Sequence, residues 1–234
     1  MPLRVRSPGW RANRRVLRGI VLCVSLAIIG HPTANWDMGR IIDTAHSRYG
    51  ALGSADGRLQ AWAQLLQNTG KQSEQQKLDT VNRFFNQQLA FKDDLVVWGQ
   101  VDYWATPVEA LVKGAGDCED FALAKYFSLR ELGVPAERLR ITYVKSLKLN
   151  QAHMVLSYYL NESSDPLVLD SLTNDIVPAT QRRDLLPVYA FNAEGLFLID
   201  PFTGEIRRGD PKQLSRWQGV LKKMRGEGFD IGAG

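Results

Sequence analysis

The chain has 234 residues, 44% of them hydrophobic and 23% charged, the balance of a soluble protein with enough length for one cored domain. No interior stretch reaches the roughly 18–20 apolar residues that a membrane-spanning helix needs. The net charge of +4 owes much to Arg4, Arg6, Arg11, Arg14, Arg15 and Arg18. The remainder is close to neutral and gives no case for a nucleic-acid surface.

Those arginines lead into the apolar run Gly19 to Gly30 and a small-residue exit at Thr33-Ala34. A basic arm, a short apolar run and small residues make a secretory signal peptide over residues 1–34, with an uncleaved anchor as the alternative. Cys23 follows Leu22, where a lipidation site would need a small residue. The expected product is one exported domain, residues 35–234, in the periplasm. Of the two cysteines in the chain, only Cys118 would remain, in a compartment where thiols usually pair. A lone exported thiol is either buried and inert or kept for its reactivity.

The first half of the domain reads as helices near 36–48, 57–68 and 75–91, the last with Leu78, Val81, Phe85 and Leu89 at helical spacing. Thr106-Pro107-Val108-Glu109 is a capping box with proline at the first helical position. The helix it opens should stop at Gly114-Ala115-Gly116. Asp117 can then cap a mostly buried helix from Cys118 to Leu132, ended by Gly133-Val134-Pro135. Residues 139–145, 152–160, 167–170, 187–191 and 195–199 read as strands. A closing helix is predicted from Asp210-Pro211, with Leu214, Trp217, Leu221 and Met224 on one face. Helices first and strands afterwards indicate an α+β fold with a largely antiparallel sheet.

A cysteine in the first turn of a helix meets free N–H groups and the positive helix end, which favour a thiolate and can receive an oxyanion. A nucleophilic cysteine needs a base. His31 falls in the leader region and His46 on a polar helical stretch, so His153, on the strand 152–160, is the candidate. The orienting acid is expected to be Asp170, at the end of the next strand. Asp200 is its rival, and Asp175 reads as a turn residue. Trp98 and Trp104 could offer an indole N–H, but core packing or substrate contact is their more ordinary use. Asp117, Glu119 and Asp120 surround the cysteine and should oppose a thiolate. They fit either helix capping that points away from sulfur or a hard cation held by oxygen ligands.

The segments Trp98-Gly99-Gln100-Val101-Asp102-Tyr103-Trp104-Ala105-Thr106-Pro107 and Gly114-Ala115-Gly116-Asp117-Cys118-Glu119-Asp120-Phe121-Ala122 resemble the bacterial transglutaminase-like cysteine proteinases. The resemblance runs from about Trp36 to the last helix. It implies a papain-like, transglutaminase-like core, a Cys118–His153–Asp170 triad and a calcium requirement met through Asp117 and Glu119. It also implies a large surface adhesin as substrate, cut at a double-alanine site near its N-terminus so that the biofilm disperses. The implied regulator is an inner-membrane receptor for cyclic di-GMP that sequesters the protease. A transglutaminase-type acyl transfer to an amine, or an inactive secreted binding module, would use the same sequence pattern.

Overall fold

The computed structural model describes residues 36–199 and 206–232. Residues 1–34, where the signal peptide is expected, with Cys23 and His31, lie outside the described residues, and so does Asp200. Three helices come first: α1 (Met38–Tyr49), α2 (Ser54–Thr69) and α3 (Glu74–Gln88). Their buried positions follow the helical period, with Leu59, Trp62 and Leu66 on α2 and Leu78, Val81 and Phe85 on α3. The two-residue strand β1 (Ala90–Phe91), the short helix α4 (Asp94–Trp98) and α5 (Pro107–Lys113) follow. The capping box of α5 forms as predicted. Thr106 Oγ1 accepts from the Glu109 N–H at 3.1 Å, and Glu109 Oε2 accepts from the Thr106 N–H at 2.9 Å.

β2 (Ala115–Gly116) pairs in parallel with β1 and delivers the chain into α6 (Cys118–Glu131). Every residue of α6 from Glu119 to Leu129 is buried. A helix with no exposed face must be covered on all sides. Here α3 and α5 cover part of it and the sheet strands β3 (Leu139–Ser146) and β4 (Gln151–Tyr158) another. The sheet continues through β5 (Leu167–Leu169), β6 (Val177–Pro178), β7 (Leu185–Phe191), β8 (Leu196–Ile199) and β9 (Ile206–Gly209). Its order is β6-β5-β4-β3-β7-β8-β9, antiparallel throughout. The fold is thus α+β, as the element pattern indicated.

β3 and β4 pair along their full length, from Leu139↔Tyr158 to Ser146↔Gln151. β5 pairs only with the far end of β4, from Leu156↔Leu169 to Tyr158↔Leu167. The Gln151–Val155 half of that edge therefore has no β5 partner, and it is the half beside the start of α6. The closing helix departs from the sequence reading. Asp210-Pro211 opens a 3-10 turn, Pro211–Gln213, with Asp210 Oδ1 accepting from the Lys212 N–H at 2.8 Å, and α7 spans Ser215–Gly226. Proline at a first position suits a 3-10 turn as well as an α-helix. The apolar face is as expected: Trp217, Leu221 and Met224 are buried, and Trp217 stacks on Phe127 at 5.4 Å. No helix among the described residues is long and apolar enough to cross a membrane.

Candidate active site

Glycine at 114 and 116 shapes the approach to the nucleophile helix. Gly114 ends α5 in the left-handed region at φ 63°, which costs a residue with a side chain strain that glycine avoids. Gly116 has a different reason: a Cβ there would sit 2.4 Å from Asp120 Oδ2. The space is taken because Asp120 folds back over the turn. Its Oδ1 accepts from the Ala105 N–H at 2.7 Å and its Oδ2 from the Asp117 N–H at 3.3 Å. One buried carboxylate thereby joins the 99–106 segment to the first turn of α6.

Cys118 opens α6 and lines a cleft of about 630 Å³ together with His153. Its lining also includes Phe91, Val101, Trp104, the pair Tyr143 and Tyr189, stacked at 5.0 Å, and the stretch Gln213–Arg216. Arg216 reaches Asp102 at 2.8 Å and so bridges two of the lining segments. His153 is buried at the end of β4 that has no β5 partner, and its Nε2 lies 2.8 Å from Asp170 Oδ1. An ionised carboxylate only accepts, so Nε2 carries the proton and Nδ1 is left as the ring's free acceptor. Asp170 is fully buried. Burial pushes its carboxyl up, but the His153 and Arg182 bonds and the Leu172 N–H outweigh that and hold it well below the usual carboxylate range.

The other residues named from sequence fall as follows. His46 is exposed and paired with Asp56 at 3.0 Å, far from this chemistry in role. Asp175 is exposed, in the turn after β5. The Trp104 indole N–H donates to Asp102 Oδ1 at 3.0 Å, and the Trp98 ring stacks on Tyr103 at 4.5 Å.

The acids divide between the two readings: Asp120 caps the helix by accepting from the Asp117 N–H, whereas Glu119 turns toward the sulfur. The Cys118 thiol donates to Glu119 Oε2 at 3.1 Å. Burial first, then the Glu119 and Asp117 charges, push the thiol strongly up, while the Met154 backbone N–H pulls the other way. Asp117 is itself pushed up to about 10, by burial and then by Glu119, Asp120 and Asp94. Its Oδ1 is buried with no partner, and so is Oδ1 of Asp94. Asp94, Asp117 and Asp120 bring one oxygen each within 4.8 Å of one another, and Asp117, Cys118 and Glu119 form a second such group. Two orphaned buried carboxylate oxygens in an all-oxygen cluster fit a hard cation better than they fit a helix cap. Sequence reasoning missed Asp94, which enters from α4 with no motif to mark it.

A helix-borne cysteine and a strand-borne histidine backed by a buried aspartate define a papain-like, transglutaminase-like cysteine peptidase fold. The chain belongs to that class: the family model described as bacterial transglutaminase-like cysteine proteinase (BTLCP) matches residues 45–183. Among solved structures it is similar to Legionella pneumophila LapG, at 44% identity over 82% of this chain and 99% of that one, with a TM-score of 0.71. The EGTA-treated form of Legionella pneumophila LapG matches at 44% identity over the same shares, with a TM-score of 0.72. The calcium-bound form matches at 45% identity over 80% and 98%, with a TM-score of 0.68. A comparison with curated protein sequences finds no match.

Proposed function

We propose that the chain is a calcium-dependent cysteine endopeptidase of the periplasm that works through Cys118, His153 and Asp170. The observation that carries this reading is the shared cleft of Cys118 and His153, with the far nitrogen of His153 bonded to the fully buried Asp170. In the reaction, His153 Nδ1 takes the Cys118 proton and the sulfur attacks the scissile carbonyl carbon. The N–H groups at the start of α6 face the developing oxyanion. Imidazolium then protonates the leaving amine, and a water molecule deprotonated by His153 hydrolyses the thioester and restores the thiol.

Asp117 and Glu119 are the proposed calcium ligands, and Asp117 also belongs to a second acidic group with Asp94 and Asp120. Calcium bound there would offset the carboxylate charge that otherwise holds the Cys118 thiol protonated. A calcium-bound form of the similar Legionella protein supports calcium as the cation. The substrate and regulator follow from family kinship: a large surface adhesin cut near its N-terminus at a double-alanine site, and an inner-membrane cyclic di-GMP receptor. Cleavage would release the adhesin and disperse the biofilm.

Cys118→Ala is expected to abolish cleavage of an adhesin fragment containing that site while leaving the melting temperature near wild type. Full cleavage by that variant, read on a gel, would sink the protease reading. Chelator is expected to suppress cleavage by the wild type and added calcium to restore it. Activity that ignores chelator would return the acids to a purely structural role.

A further inference from the structure

Arg182 carries no sequence signature, yet its guanidinium reaches the back of the site. It follows a 3-10 turn, Ala179–Gln181, after β6. Its Nη2 donates to Asp170 Oδ2 at 2.8 Å, and its Nε and Nη2 donate to the two oxygens of Asp184 at 3.0 Å each. The contact is nearly dry, with the Asp170 side chain 0% and the Arg182 side chain 14% exposed.

The two oxygens of Asp170 are therefore assigned different partners. Oδ1 receives His153 Nε2 and the Leu172 N–H at 3.1 Å, while Oδ2 receives Arg182. The other cation near this residue, Lys125, donates to the Asp170 main-chain carbonyl at 3.0 Å, as does the Asn86 amide at 3.0 Å. Neither restrains the carboxylate plane. Among the described residues, Arg182 is the side chain that fixes Oδ2. A pair formed with Asp184 alone could sit in water. Instead the fork is drawn inward across two carboxylates, and its Nη1 is buried without a partner. A planar fork tolerates such a bridge where a lysine point charge does not.

We propose that Arg182, braced by Asp184, is a positioning residue for the reaction. It locks the Asp170 carboxylate plane so that His153 is held as the Nε2–H tautomer with Nδ1 toward Cys118. This inference rests on the triad reading above.

The test uses the full chain with Arg182→Gln, and the imidazole ¹⁵N shifts of His153 as a readout that needs no turnover. Wild type should show the Nε2–H tautomer alone, and Arg182→Gln a mixture of the two tautomers. With the adhesin fragment as substrate, kcat should fall about 10- to 100-fold while KM stays within about twofold, the split expected when geometry rather than binding is lost. Arg182→Lys, which keeps the charge but not the fork, should recover only part of kcat. If Arg182→Gln does not fold, Asp184→Asn loosens the brace and should move both readouts the same way by a smaller factor. A folded Arg182→Gln with wild-type tautomer and kcat overturns the inference. His153→Ala separates the two readings: loss of cleavage there with an unaffected Arg182→Gln rejects only the role of Arg182. Wild-type cleavage by His153→Ala would reject the triad itself.

Discussion

At Cys118 the sulfur sits between opposing influences: the Glu119 carboxylate accepts its proton, while the Met154 N–H favours its anion. The surrounding residues differ in how far the sequence reveals them. Cys118, His153 and Asp170 were legible because each lies at the end of a recognisable element, a helix start or a strand. Asp94 and Arg182 were not, since they act across segments that meet only in three dimensions. The sequence shows Asp120 as an acid beside the cysteine but not its bond to Ala105, which spans two segments in the same way. Two outcomes belong at this scale. Asp170→Asn, which leaves the shape but reverses the hydrogen-bond polarity toward His153, is expected to lower kcat by about 10⁴-fold. Asp94→Asn is expected to weaken calcium binding, read by titration calorimetry, by about 10- to 100-fold. An unchanged affinity would remove Asp94 from the ligand set.

Among the elements, α5 shows how one cap can serve two purposes. Thr106 Oγ1 accepts from the Glu109 N–H and also donates to Glu227 Oε1 at 2.9 Å. Thr106→Ala removes both, and is expected to cost about 1–2 kcal/mol in urea unfolding, at the upper range for a lost cap. The box was legible because its four residues are contiguous. So were α1, α2 and α3, whose apolar spacing persists over several turns, α6, bounded by the Asp117 cap and the Gly133-Val134-Pro135 stop, and the longer strands. β1, β2 and β6 were not, since two residues carry no period. α4 has five residues and is stopped by Gly99 in the left-handed region. The closing α-helix starts four residues beyond Pro211 because proline after aspartate opens either helical type.

Across the whole molecule, Glu227 draws distant parts together. It lies just past α7, takes the Thr106 hydroxyl, and meets Arg48 of α1 at 3.3 Å. Burial above all, with the Glu109 charge next among the influences that raise it, pushes its carboxyl from 4.5 to about 7. Between those two values the folded chain holds a proton that the unfolded chain has lost, so stability falls as pH rises through the window. Glu131, also pushed up to about 7 by burial, adds a slope of the same sign. Glu227→Gln keeps an acceptor for Thr106 and removes one of the two slopes. Relative to wild type it is expected to gain roughly 1–3 kcal/mol at pH 8 compared with pH 5, measured by urea unfolding. An identical pH dependence in the two proteins would show that the carboxyl is not protonated in the fold.

The burial of α6 on every side has a consequence for motion. Its amides, and those of β3, which is paired on both sides, are expected to exchange with deuterated solvent only on near-global opening, whereas the 99–103 tip beside the cleft has no helix or strand and exposes Val101. Cys118 would thus belong to a slow-exchanging core and share its cleft with a faster-exchanging tip. Peptides from the two regions should differ in deuterium uptake by orders of magnitude in time. A polypeptide entering the cleft would then be accommodated by the tip, while the sulfur and imidazole stay where the core holds them.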